Sequence, residues 1–107
     1  MAFSIVTMQN LEVKQPVKFI FDSDTHEFTG KFKLLDDDSN EQLANGGDHD
    51  FIKKILVGWG DDFVGEDDKP LPFNEENLAA CLKISWWRTA VIDAYFVAVA
   101  VAGRKNY

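Results

Sequence analysis

A chain of 107 residues, 46% hydrophobic and 13% aromatic, has room for one domain (residues 1–107) around one core. Eighteen Asp and Glu against eleven Lys and Arg give a net charge of −7, which repels a phosphate backbone and an anionic membrane surface, so nucleic acid and membrane are not expected partners. The single cysteine, Cys81, excludes an intrachain disulfide and an all-cysteine metal site, and fits a reducing, cytoplasmic location. The opening Met-Ala-Phe-Ser-Ile-Val lacks the basic region and long apolar run of a secretory signal. The longest apolar stretch, residues 94–102, is about half of what a membrane helix needs.

Residues 17–21 (Val-Lys-Phe-Ile-Phe) and 26–34 (His-Glu-Phe-Thr-Gly-Lys-Phe-Lys-Leu) alternate apolar and polar side chains, the pattern of strands that bury one face. Asp22, Ser23, Asp24 and Thr25 between them are turn formers, because short oxygen-bearing side chains bond to nearby backbone. A β-hairpin follows. Pro16, which cannot donate to a ladder, suits an edge strand, and residues 3–13 are a candidate third strand. Beyond Asp36-Asp37-Asp38, the Ser39…Gln42 spacing reads as a capping box for a short helix that Gly46-Gly47 ends. Asp48 or Asp50 is placed to cap the next helix, whose Phe51, Ile52, Ile55, Leu56 and Trp59 share one face, with Gly58 and Gly60 terminating it. The acidic loop over residues 61–73 is long enough to need a reason. Asn74 then caps a helix to Leu82, with Phe73 and Leu78 as a hydrophobic staple and Glu75 and Glu76 at its positive end.

Ser85 is the expected cap of a last helix over residues 86–102, with Gly103 as its stop. Val97, Val99 and Val101 alternate with alanines in a strand-like way, but the alanines, the length and the cap favour a helix. The expected fold is therefore α+β: an N-terminal hairpin, with that candidate third strand, packed against three to four helices, the last long and apolar. Charge divides along the same boundary: residues 1–82 carry −10 and residues 83–107 carry +3.

Chemistry-bearing residues are sparse. His26 and His49 have no partner at metal-ligand spacing, and Cys81 lies in an apolar helix with no base or cation nearby. Asp36, Asp38 and Asn40 imitate the opening of a calcium-binding loop, but Glu41 replaces the required glycine and Gly47 the final bidentate glutamate. The acids of residues 61–68 read as a solvated loop, and Gly58-Trp59-Gly60 lacks the lysine and further glycines of a phosphate cradle. No catalytic residue, metal or cofactor is expected, and an enzyme is not the expected class. Apolar surface is what remains. A helix apolar nearly all round is either central to a core or covered by another chain, which makes Trp59, Trp86, Trp87, Tyr95 and Phe96 the candidate protein-interface residues.

Several segments in this order resemble the tail assembly chaperones of long-tailed bacteriophages and prophages: Phe32-Lys33-Leu34-Leu35, the apolar run from Phe51 to Val57-Gly58-Trp59, then Leu71-Pro72-Phe73-Asn74-Glu75-Glu76-Asn77-Leu78, then Ala94-Tyr95-Phe96 and a short basic tail. The resemblance spans nearly the whole chain, residues 36–49 being its weakest part. It implies a cytoplasmic factor, absent from the finished virion, that binds and solubilises the tape-measure protein and helps recruit tail-tube subunits; the apolar last helix, on its own grounds, makes a second copy of the chain a further candidate partner. It also implies a longer form made by ribosomal frameshifting, and Arg104-Lys105-Asn106 can be encoded through the slippery heptamer A AAA AAC. The competing expectation is a structural minor tail protein, a tail-tube or tail-completion subunit retained in the virion.

Overall fold

A computed structural model describes residues 4–9 and 11–102, excluding the side chains of Gln9, Phe21 and Ala44. The protein is α+β: the described residues form a three-stranded antiparallel sheet in the order β1-β2-β3 and five helices. The hairpin strands β1 (Glu12–Phe21) and β2 (Asp24–Lys33) pair over their full length around the two-residue turn Asp22-Ser23. Both turn residues have positive φ, 49° and 69°, the conformation that lets a two-residue loop follow the right-handed twist of its strands. Pro16 lies opposite Thr29, whose backbone N–H and C=O engage Asp62 and Gly60 on the far side. In an antiparallel ladder such paired residues both turn their backbone groups outward, so the missing proline N–H falls on the open edge of β1.

The third strand does not come from residues 3–13. Ser4 begins a short helix there, α1 (Ile5–Gln9), by accepting the Thr7 N–H at 3.1 Å; residues 3 and 10 lie outside the described residues. It comes instead from the segment expected to continue a helix to Trp59. Helix α3 (Asp48–Ile55) stops at Ile55, and β3 (Leu56–Trp59) pairs with Gly30–Phe32. Val57 bulges out between the paired Leu56 and Gly58, which lets both Leu56 and Trp59 be buried. Pairing explains the switch: it satisfies β2 backbone that a continuing helix would have left bare, and Gly58 is a poor helix residue in any case.

Cap positions differ in detail from the expected ones. Helix α2 (Asp37–Asn45) is capped by Asp36, whose carboxylate accepts the Ser39 N–H at 2.8 Å, rather than by a Ser39–Gln42 box. Gly46 ends it as expected. Helix α3 starts from Gly47, at φ 102°, a backbone state that favours glycine over the aspartates that follow. Helix α4 (Glu75–Leu82) has the expected Asn74 cap, its Oδ1 accepting the Asn77 N–H at 2.8 Å. Helix α5 (Ser85–Ala102) begins one residue early, the Arg88 N–H reaching the carbonyl of Ile84.

The core lies between one sheet face and α5, closed by α3 and the residues after β3. Val17, Phe28 and Phe32 of the sheet meet Trp87, Val91 and Tyr95 of α5; the Phe28 and Trp87 rings are parallel within 7° and the Phe32 and Tyr95 centroids lie 6.0 Å apart. The opposite sheet face is open and carries Lys14, Lys18, Glu27 and Lys31. Helices α4 and α5 meet at 105°, and no single described helix is long and apolar enough to cross a membrane.

Candidate functional site

Helix α5 has two sides with different fates. Trp87, Ala90, Val91, Ala94, Tyr95 and Ala98 face the core, where the small residues let the helix approach the sheet closely. On the other side Trp86, Thr89, Asp93, Phe96 and Ala100 are exposed and follow one another at intervals of three, four, three and four residues. At 3.6 residues per turn this is one continuous stripe, about 21 Å long. Val97 and Val101 border it, and Trp86, Phe96, Val97 and Val101 are each 47–51% exposed. A shallow groove of about 180 Å³, lined by Pro16, Lys18, Asp93 and Val97 among others, runs between this stripe and the open edge of β1. Elsewhere, Ile5 and Met8 of the short helix α1 share a depression with Leu34, Leu35 and Val99.

Of the five candidate interface residues, the structure brings only Trp86 and Phe96 to the surface. Trp87 and Tyr95 are buried under α5, and Trp59 is buried at the end of β3. Their periodicity on α5 accounts for the division: positions 87 and 95 fall on the core side, 86 and 96 on the other. In place of the buried three, the exposed face gains Val97 and Val101, which the strand-like alternation of the sequence obscured.

The buried members have structural work that explains their polar atoms. The Tyr95 hydroxyl accepts the Leu35 N–H at 3.0 Å and donates to Asn40 Oδ1 at 2.7 Å, while Asn40 Nδ2 donates to the Leu35 carbonyl at 3.3 Å. This closed network ties α5 to α2 and the segment after β2. Trp59 Nε1 donates to the Leu71 carbonyl at 2.6 Å, and its ring stands edge-on to Phe63 and Phe73. Trp87 Nε1, by contrast, is buried with no hydrogen-bond partner among the described residues. Arg88 supplies what α4 lacks in its own last turn, a cation at the C-terminal carbonyls: Nη1 donates to the Leu82 carbonyl at 2.6 Å, and Nε lies 3.8 Å from Asp48.

The long acidic loop is tied down at both ends. Leu71 N–H donates to Phe63 and Gly65 N–H to Lys69, making a small hairpin, and Asp62 reaches back to β2. Both Asp62 oxygens lie 3.0 Å from the Thr29 N–H and one accepts the Thr29 hydroxyl at 2.8 Å, which lowers the Asp62 pKa. Glu66, Asp67 and Asp68 remain exposed at the tip. Asp36 is likewise held below the usual carboxylate range by its cap bond to Ser39, and burial pushes the Cys81 thiol up. Among the described residues no three His, Cys, Asp or Glu side chains are grouped to hold a metal ion. His26 and His49 both lie on the surface.

What the arrangement offers is therefore an apolar, helix-borne face on an acidic body. Comparison with protein-family models, with curated proteins and with solved structures gives no match.

Proposed function

We propose that the protein is a tail assembly chaperone of a long-tailed bacteriophage or prophage, acting in the host cytoplasm. It binds the helical, aggregation-prone tape-measure protein through the exposed side of α5, keeps it soluble, and leaves before the virion is complete. A longer form, made by frameshifting near Arg104-Lys105-Asn106, recruits tail-tube subunits; these three residues lie outside the described ones.

One observation carries the reading beyond the sequence resemblance: two large aromatics and two valines stand about half exposed along one side of a helix whose other side is core. Large exposed aromatics on one rigid element are typical anchors for a partner. Covering the open halves of Trp86 and Phe96 contributes on the order of 1–2 kcal/mol each. Many such sites along a long tape measure are enough for a coat that exchanges rather than a permanent assembly.

Co-expression with the tape-measure protein of the same phage tests the reading. Wild-type chain keeps the tape measure in the soluble fraction, whereas a folded Trp86→Ala, Phe96→Ala variant does not; equal solubility with both would remove this face from the mechanism. Mass spectrometry of purified particles separates the chaperone from a structural tail subunit, which would be found there in stoichiometric amount.

A further inference from the structure

The exposed side of α5 is not uniformly apolar, and its one charge sits at its centre. Counting from Trp86 to Ala100 along the stripe, Asp93 is the midpoint, seven residues from either end. Asp93 is exposed and has no ion-pair partner among the described residues, although Lys18 lines the groove beside it. The three-four spacing is the one that lets a second helix lie along α5 with its own side chains set between these.

Position matters because it discriminates between occupants. If a second copy of α5 packed antiparallel on the first and symmetrically about the stripe, Trp86 would meet Ala100 of the other copy, a good match of large with small. Asp93 would then meet Asp93. A parallel, in-register pair makes the same contact. Two carboxylates brought together as water is squeezed out repel each other, so symmetric pairing is opposed at its centre. A foreign helix with Lys or Arg at the matching position meets no such opposition and gains a charge-assisted contact.

We infer that the α5 face is a docking site for an amphipathic helix of another protein that carries a Lys or Arg in the middle of its apolar stripe, with Asp93 as the residue that selects it. The inference deepens the function proposed above and takes from it the premise that the partner is a helix. A single charge inside an apolar seam sets partner and register at a modest expense of affinity.

The test uses the full chain and two labelled 21-residue amphipathic peptides, identical except for Lys or Glu at the central seam position, with binding followed by fluorescence anisotropy. The Lys peptide should bind roughly five- to tenfold more tightly than the Glu peptide. Asp93→Asn should abolish the preference and Asp93→Lys invert it; Asp93 is exposed, so neither change threatens the fold. Equal affinities for wild type, or a preference that survives Asp93→Lys, would overturn the inference. So would a wild-type dimer in sedimentation velocity that Phe96→Glu dissociates, because the occupant would then be a second copy. If neither peptide binds while the tape-measure protein still co-purifies through Phe96, this inference fails and the proposed function stands. Charge-selective peptide binding without tape-measure capture supports the inference and removes the tape measure as the partner.

Discussion

Replacing Tyr95 by Phe removes one oxygen atom from a fully buried side chain and leaves its packing unchanged. The ring still meets Phe32, Phe51 and Phe96 at centroid distances of 6.0, 5.5 and 5.3 Å. What disappears is the group that accepts from Leu35 N–H and donates to Asn40 Oδ1. Each orphaned group carries a desolvation penalty of about 1–3 kcal/mol when buried, and both Leu35 and Asn40 are only half-buried, so water recovers part of it. The expected loss is about 2 kcal/mol, or a fall in Tm of roughly 8–12 °C for a domain of this size. Urea unfolding followed by tryptophan fluorescence measures it. Asn40→Ala alone should cost less, and the double variant should cost about 1 kcal/mol less than the two single changes together, since they break one network. A Tyr95→Phe protein within about 0.5 kcal/mol of wild type would refute the idea that this network, rather than the ring, fastens α5 to α2. Peptide or tape-measure binding well below Tm should be unaffected, because Tyr95 lies beneath the docking face and not on it.

Trp59→Phe and Trp87→Phe shrink two buried side chains alike, yet only Trp59 forfeits an indole hydrogen bond; Trp87 instead sheds an unpartnered N–H. Trp59→Phe should be the more destabilising by about 1.5 kcal/mol, and equal losses in urea unfolding would contradict that. Ser23→Gly relieves a positive φ in the hairpin turn and should stabilise by about 0.5–1 kcal/mol, which a thermal melt will show as a higher Tm. Asp62→Asn weakens the loop's tie to Thr29 and should speed exchange of the Thr29 amide at neutral pH. Because the folded-state pKa of Asp62 is lowered, its carboxylate contributes stability above the ordinary aspartate pKa of about 3.9 and loses it as pH falls through the lower folded value. The difference between wild type and variant should therefore close in acid below that range; a difference that persists there would point to packing instead.

Much of the architecture was readable because local signals and burial agreed. Period-two alternation located the hairpin and turn chemistry its bend, and the Asn74 cap with its following glutamates placed α4 to the residue. The alanines, the length and the Ser85 cap gave α5. The misreadings came where one pattern fits two structures. Phe51, Ile52, Ile55, Leu56 and Trp59 satisfy a helical face, yet the last two are buried equally well by a bulged strand, and only the need of β2 for a neighbour decides between them. Gly58 was the available hint. The site was legible as a type of residue rather than as a surface: aromatics on α5 were right as a class, but which of Trp86 and Trp87 points outward depends on where the sheet lies. Networks such as Tyr95, Asn40 and Leu35 join residues 55 to 60 positions apart and leave no local signature.

The most direct test of the central claim places a photo-crosslinking residue at Phe96, with the same residue at Thr25 on the open sheet face as a control. Each protein is irradiated in cells that co-express the tape-measure protein. A covalent adduct with the tape-measure protein is expected from position 96 and none from position 25. Adducts from position 25 alone, or none from either while the tape measure remains soluble, would contradict it.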